Sequence, residues 1–250
     1  MSLLSTHKLK KIFNGVSAVN GVSLSFEPGK ITSVIGPNGC GKTTMINLIT
    51  GMMPFDDGNI TIGEHTKIDN MPAYDVATYG ITRTFQQPRL FEQMTVLDNI
   101  LVVLTERNVF KSLFERHDKY HIDIAEKILR RVDIFEKKDN LAVNLSYGQR
   151  KLLEIARVIA MGERTDGESH ILFFDEPFAG LFPEMVKLVS SILKELRDEG
   201  KAVVLVEHNM DLIRELSDHV YVLDAGEHLA EGTAKDVFSN RGVIEAYLGD

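Results

Sequence analysis

Between residues 7 and 35 apolar and polar positions alternate, with turn pairs at Asn14-Gly15, Asn20-Gly21 and Pro28-Gly29. That pattern predicts short strands and hairpins. Residues 31–35 read as a further strand, which runs into a glycine-rich turn and a helix of about ten residues from Lys42. Residues 59–62, after Asp57-Gly58, form another short strand. From about Val96 to Ala160 the period changes. Ile124, Ile128, Leu129 and Val132, then Leu152, Leu153, Ile155, Ala156 and Ile159, recur at helical spacing and predict a helical lobe. Beyond it the chain alternates: strand 171–174, helix 184–199, strand 202–206, helix 210–217 and strand 219–223, closed by a turn at Gly226. Strand–helix alternation predicts a parallel sheet with helices packed on it. Thr233, with Asp236 three residues on, resembles a capping box opening a last helical segment.

Composition narrows the possibilities. The chain has 250 residues, 44% hydrophobic and 26% charged, enough for one globular unit with sub-lobes. No apolar run approaches the ~20 residues of a spanning helix, and residues 1–11 lack a signal-peptide stretch, so export is not expected. The formal net charge of -8 argues against nucleic acid as the main partner, because phosphate backbones require a basic face. The single cysteine, Cys40, rules out an intrachain disulfide and suits a reducing compartment. Residues 162–169 are polar and read as a solvated loop, either a surface insertion or a regulatory contact.

Candidate chemistry begins at Gly36-Pro37-Asn38-Gly39-Cys40-Gly41-Lys42-Thr43, which fits G-x-x-x-x-G-K-[ST] between a predicted strand and a predicted helix. The glycines let the backbone curl so that N–H groups converge on phosphate oxygens, and the helix start adds its positive end. Lys42 suits the β- and γ-phosphates as a point charge, and the Thr43 hydroxyl suits Mg²⁺. Cys40 reads as a small loop filler; its place at a helix start also suggests a lowered thiol pKa.

The strand Ile171-Leu172-Phe173-Phe174 ends in Asp175-Glu176. Ligands of open parallel sheets sit at the carboxyl ends of strands. There Asp175 would face a Mg²⁺ shell through water, and Glu176 would polarise the water that attacks a γ-phosphate. Alone, two carboxylates after a strand are equally a solvated turn; the phosphate loop gives them meaning. Leu145-Ser146-Tyr147-Gly148-Gln149 precedes an amphipathic helix over 150–160, with Ser146 a natural N-cap and Gly148 permitting close backbone approach.

Taken together, the phosphate loop, Leu145–Gln149, the Asp-Glu strand end and Glu207-His208 fall in the order and spacing of ABC ATPases, and the chain resembles that family over nearly its whole length. Tyr147, where the family usually has glycine, is similar to the ATPases of branched-chain amino acid and urea importers. So are Arg83-Thr84-Phe85-Gln86, Ala179-Gly180-Leu181, Glu207-His208-Asn209-Met210 and Ile244-Glu245-Ala246-Tyr247-Leu248-Gly249. The resemblance implies an α/β fold. Its core is of the P-loop NTPase (RecA-like) type with a mainly parallel sheet, carrying an N-terminal antiparallel β subdomain and an inserted helical subdomain. One ABC ATPase domain would span 1–250, with 1–95 and 161–250 forming the β subdomain and core and 96–160 the helical subdomain.

The resemblance also implies roles. ATP and Mg²⁺ would be bound by Gly36, Pro37, Asn38, Gly39, Cys40, Gly41, Lys42, Thr43 and Thr44, with Thr43, Gln86 and Asp175 toward the metal. Phe13 would stack on adenine beside Val19, unless it is an ordinary core residue. Ser146, Gly148 and Gln149 would touch the γ-phosphate of ATP held by a second ABC ATPase subunit, identical or paralogous. His208 would contact the γ-phosphate, and its place after a strand aims it at the ligand edge. Glu176, His208 and Gln86 form the expected catalytic set. Partners would be transmembrane permease subunits, reached by residues 86–95, and indirectly an extracytoplasmic solute-binding protein, with the chain cytoplasmic and peripheral on the membrane. Phe182 departs from the pattern: the wider family often has Asp there and this subgroup Asn.

The implied activity is ATP hydrolysis driving import of branched-chain amino acids, with urea, amides, other amino acids or lipopolysaccharide export as alternatives. A small-molecule P-loop kinase would not need residues 145–149, a regulator that only binds nucleotide would not need Glu176, and DNA-repair or translation ATPases usually carry two cassettes or a long coiled coil.

Overall fold

The structure, a computed structural model, describes residues 2–63, 66–68, 72, 75–104, 119–163 and 170–248. The strands are β1 (Leu4–Phe13), β2 (Val16–Val22), β3 (Ser25–Phe26), β4 (Lys30–Ile35), β5 (Asp57–Ile62), β6 (Thr66–Ile68), β7 (Ile81–Arg83), β8 (Ile171–Asp175), β9 (Ala202–Val206), β10 (His219–Asp224) and β11 (Glu227–Gly232). The helices are α1 (Lys42–Ile49), α2 (Val96–Leu104), α3 (Lys119–Arg131), α4 (Tyr147–Gly162), α5 (Pro183–Asp198), α6 (Met210–Leu216), α7 (Ala234–Ser239) and α8 (Arg241–Leu248).

The chain divides into two compact units. One comprises Met1–Arg83, Ser169–Glu176 and Leu193–Asp250; the other comprises Thr84–Glu168 and Pro177–Ile192. The sequence had drawn the helical subdomain at 96–160. The second unit also takes in 84–95, 161–168 and 177–192, and the first and last of these are tied to α4. The Phe85 N–H donates to Glu154, and the first turn of α4 lies against Gly180 and Met185.

The first unit holds two sheets. The antiparallel one runs β2-β1-β5-β6, with β3 also on β1. Its leading hairpin turns at Asn14-Gly15, both in the left-handed region (φ 48° and 82°), the conformation a tight two-residue hairpin requires. The second sheet runs β11-β10-β4-β9-β8-β7. Every pairing from β10 to β7 is parallel and only β11 is antiparallel. β8 and β9 are buried at every position, and β4 at all but Lys30. That explains the apolar runs of β8 and β9: a parallel strand covered on both faces has no polar side to show.

Alternate residues of this sheet feed two cores, as a period of two demands. Val34, Phe173, Val204, Tyr221 and Leu223 join Leu4, Leu9, Phe26 and the Met45, Ile46, Leu48 and Ile49 side chains of α1. Ile35, Val220 and Val222 join Ile213, Val237 and Val243 on the opposite face, with Tyr247 packed against them. Burial pushes the Tyr247 phenol up, and the Gly36 backbone beside it pulls the other way.

In the second unit α2, α3 and α4 pack together. α4 starts at Tyr147, where the sequence had predicted 150. Ser146 is already the cap, so Tyr147, Gly148 and Gln149 form the first turn instead of leading into it. Of the loop expected at 162–169, Gly162 still belongs to α4 and Glu163 caps it; the rest lies outside the described residues. At Thr233 the hydroxyl accepts the Asp236 N–H and also meets the Asp236 carboxylate. The carboxylate accepts from the hydroxyl at 2.6 Å, where in a capping box it would accept from the Thr233 N–H.

Phe173 is fully buried and meets Phe26 edge-on at 5.7 Å between centroids. Phe173→Ala is expected to destabilise the protein by about 3–5 kcal/mol, read as a lower midpoint in urea unfolding; a change under about 1 kcal/mol would show that this layer is not the core.

Candidate functional site

The register of three neighbouring strands sets the site. Val34 of β4 pairs with Val206 of β9, and Val206 pairs with Asp175 of β8. All three strands run the same way, so Gly36, His208 and Glu176, one or two residues further on, emerge at one edge.

From β4 the chain turns through the phosphate loop into α1. Gly36 has φ 151°, and a Cβ there would lie 2.1 Å from the Leu223 carbonyl oxygen and 2.5 Å from Cys40 Sγ. At Gly41, φ 103°, a Cβ would lie 2.4 Å from the Ala18 carbonyl oxygen. Neighbouring β-strands thus press on the loop from outside, and only glycine fits. Gly41 is the N-cap of α1 and offers no side chain to its first-turn N–H groups, which leaves the helix start suited to an external anion. Pro37 is half-buried; Asn38, Gly39 and Thr43 are exposed, and Thr44 is half-exposed. Lys42 is buried, and its ammonium donates to the carbonyls of Gly36 (2.8 Å) and Pro37 (2.9 Å). Cys40 is buried too. Burial pushes its thiol up, against the pull of Lys42, so the lowered pKa suggested by its helix-start position is corrected: shielding from solvent outweighs the dipole.

Asp175 ends β8 with 2% of its side chain exposed. Arg83, the last residue of β7, donates to its Oδ2 at 3.3 Å, and also to Asn47 Oδ1 at 2.7 Å and Thr50 Oγ1 at 3.1 Å. Glu176 follows in the left-handed region, φ 48°, held there by its N–H donating to Val206 O at 2.9 Å. A non-glycine residue so placed carries strain of about 1–3 kcal/mol. The turn swings the carboxylate to His208, whose Nε2 is 3.0 Å from Glu176 Oε1. His208 is fixed from behind: its N–H donates to the Glu207 carboxylate at 2.9 Å, and Asn209 caps α6 through its side-chain oxygen. Phe13, at the end of β1, is 43% exposed, with the Lys11 ammonium 5.6 Å from the ring centroid. Val19 is fully buried in the core. The first unit therefore gathers the loop, Asp175, Glu176, His208 and Phe13.

The second unit carries Gln86, Ser146, Gly148 and Gln149. Ser146 and Gln149 form a complete capping box: the Gln149 N–H donates to Ser146 Oγ at 3.3 Å, and the Ser146 N–H to Gln149 Oε1 at 3.0 Å. A Cβ on Gly148 would lie 2.6 Å from Met185 Sδ, so this glycine also serves the packing of α4 on the start of α5. Tyr147 covers Gly180, and Phe182 is 72% exposed. Gln86 is exposed, while Phe85 beside it donates to the buried Glu154, 2.9 Å away. Burial pushes the Glu154 carboxyl up, against the Phe85 N–H and Lys151. Arg157 donates to the Arg89 carbonyl and lies over the Phe91 ring at 5.0 Å. Sequence reasoning missed the Arg83 grip, the turned backbone at Glu176 and the Glu154 anchor. Only Arg83 had left a signal, through the Arg83-Thr84-Phe85-Gln86 motif.

Among the described residues no group of three or more His, Cys, Asp or Glu side chains is placed to hold a metal, and no helix is long and apolar enough to cross a membrane.

Residues 19–179 match the family described as ABC transporter. Over its full length the chain is 40% identical to a probable branched-chain amino acid transport ATP-binding protein LivG of Archaeoglobus fulgidus, covering 96% of that protein. It is 38% identical to the high-affinity LivG of Escherichia coli K12, over 99% of this chain and 98% of that one. A crystal structure of the ADP conformation of an ATP-binding cassette of an ABC transporter superposes with a TM-score of 0.84 at 34% identity, covering all of both chains. A nucleotide-free ATP-binding cassette from an ABC transporter gives 0.83, also at 34% identity and full coverage.

Gly36→Ala places a methyl against the Leu223 carbonyl at a φ that L-residues avoid. The loop must shift, and ATP affinity measured by calorimetry is expected to fall about tenfold or more; wild-type affinity would show that the loop geometry is not what binds.

Proposed function

Since the chain belongs to the ABC transporter family, as an ATP-binding and ATP-hydrolysing subunit, we propose that it powers the import of branched-chain amino acids. It does so on the inner face of the plasma membrane, bound to transmembrane permease subunits that receive solute from an extracytoplasmic binding protein. The cargo comes from the names of the LivG relatives. The chemistry rests on one observation: the loop, Asp175-Glu176 and His208 leave the same edge of three parallel strands, with Glu176 and His208 within 3.0 Å.

In this reading the triphosphate lies along Gly36–Thr44. The Lys42 ammonium exchanges the Gly36 and Pro37 carbonyls for β- and γ-phosphate oxygens, a charge-assisted contact about twice as strong as a neutral one. Phe13 stacks on adenine. Val19, wholly buried, supports that surface from beneath and does not touch the base. Glu176 takes a proton from the attacking water as its oxygen bonds to the γ-phosphorus. The bond to the β-phosphate oxygen breaks, giving ADP and phosphate, while His208 holds the Glu176 carboxylate and the γ-phosphate in line.

The donors near the loop fit Mg²⁺. They are hard oxygens, the Thr43 hydroxyl and the Asp175 carboxylate, with no larger cluster of ligands among the described residues; the Gln86 amide of the second unit would join them as a further oxygen donor. Mg²⁺ commonly takes one or two protein oxygens together with substrate phosphates and water. Bound there, it would neutralise charge on the β- and γ-phosphates.

Two such subunits, identical or paralogous, close on ATP head to tail, and the Ser146 end of α4 meets the γ-phosphate held by the other subunit. Ser146 Oγ accepts the Gln149 N–H and keeps its own proton to donate. Loss of the γ-phosphate removes the bridge and the pair opens.

Glu176→Gln is expected to hold ATP with near-wild-type affinity while steady-state turnover falls about a hundredfold or more. Full multiple turnover by the purified variant would defeat the assignment. Lys42→Ala is expected to weaken ATP binding itself by about tenfold or more, read by calorimetry; unchanged binding would remove Lys42 from the site. Reconstitution with the permeases and binding protein should give ATP-dependent uptake of labelled leucine, and uptake of urea alone would reassign the cargo.

A further inference from the structure

Arg83 makes three side-chain contacts that the reaction outlined above does not use. Its side chain is 9% exposed, and it pairs in register with Phe173 of β8. Phe173 and Asp175 are two apart and so share a face of the sheet, which puts the guanidinium within reach of the Asp175 carboxylate at 3.3 Å. The other acceptors come from the far end of α1. Asn47 Oδ1 receives a bond at 2.7 Å and Thr50 Oγ1 one at 3.1 Å. The Thr50 hydroxyl spends its own proton on the Ile46 carbonyl at 2.7 Å, so its lone pairs are turned to Arg83. The carbonyl end of the α1 dipole adds to the attraction. One short helix therefore presents its N-terminus to the phosphate loop and grips, at its other end, the cation that holds Asp175.

A carboxylate this buried needs a polar partner for its oxygens. A guanidinium supplies it with a fixed fork that a lysine cannot reproduce. We propose that Arg83 is a positioning residue for the metal–nucleotide step: braced by Asn47 and Thr50, it holds the Asp175 carboxylate in place and aimed at the edge where Mg²⁺ is taken up. The proposal rests on the Mg²⁺ role given to Asp175 above. It assigns to Arg83 the kind of support from behind that tunes metal affinity without touching the metal. Arg83 also lies three residues before Gln86, so the same anchor fixes where the chain leaves β7.

The test uses the full-length protein, with Mn²⁺ as a paramagnetic stand-in for Mg²⁺. Two quantities are measured: ADP affinity in EDTA by calorimetry, and Mn²⁺ affinity at saturating ADP by electron paramagnetic resonance. In Arg83→Gln the Mn²⁺ dissociation constant is expected to rise about tenfold or more, with metal-free ADP affinity within about twofold of wild type. Arg83→Lys should fall between the two. Asn47→Ala should weaken Mn²⁺ binding about twofold in the wild-type background and not at all in the Arg83→Gln background, because it acts through the guanidinium. An unchanged or tighter Mn²⁺ constant in Arg83→Gln overturns the proposal. So does an equal loss of Mn²⁺ and metal-free ADP affinity, which marks a purely structural ion pair. Should Arg83→Gln fail to fold, Arg83→Lys and Asn47→Ala carry the test, and wild-type Mn²⁺ affinity in both overturns it. A wild type that takes up no Mn²⁺ with ADP would instead overturn the metal reading of Asp175 and this inference with it. Mn²⁺ uptake by the wild type with no change in Arg83→Gln defeats the inference alone.

Discussion

Three adjacent parallel strands must end level before anything at their edge can meet. β4, β9 and β8 achieve this through a register in which Val34, Val206 and Asp175 stand in one row. Each strand is then free to launch a different chemistry: a backbone cradle from β4, an imidazole from β9, two carboxylates from β8. The row is held from both sides, because alternate residues feed separate cores on the two faces. A one-residue slip would expose both cores at once, so the alignment is protected by far more apolar burial than the site itself could supply.

Charge at this edge is kept under control by pairing. Lys42, Asp175 and Glu207 are all nearly buried, and an isolated ion in such surroundings would be costly. Lys42 rests on two loop carbonyls, Asp175 on a guanidinium, and Glu207 on the N–H groups of His208 and Asn209. These partners satisfy the polar atoms of buried groups without water. Glu176 is different. It is half-exposed and its backbone is twisted out of the strand conformation. The same twist aims its carboxylate away from the sheet, toward His208.

Much of this was legible in the sequence because local rules and tertiary packing agreed. The apolar runs at 171–174 and 202–206, the Asn14-Gly15 hairpin, the glycine loop and the Ser146 cap each have a nearby physical cause. What escaped needed partners far along the chain. The raised thiol of Cys40 depends on burial that no window of residues contains. The grip on Asp175 joins residues 36 and 92 positions apart. The packing of Gly148 on Met185 gives the glycine a second reason that spacing alone hides. The amphipathic pattern starts this helix at Arg150 although Ser146 reads as the cap: residues 147–149 look like a lead-in, while Ser146 and Gln149 together spell a capping box with 147–149 as its first turn.

The phosphate loop is encoded early, yet it is enclosed late. β4 has β9 and β10 as its neighbours, the Leu223 carbonyl presses on Gly36, and Tyr247 lies beneath the same backbone. During synthesis the loop therefore leaves the ribosome long before the residues that shape it exist. Its glycines stay unconstrained until the stretch from about 202 to 247 follows, and the nascent chain has no mature nucleotide cradle before then. Non-local pairing of this kind folds slowly and leaves strand edges open meanwhile. A translating cell would thus hold this chain in a state that cannot yet compete for ATP, and termination before β9 would yield a product with the fingerprint but without the grip.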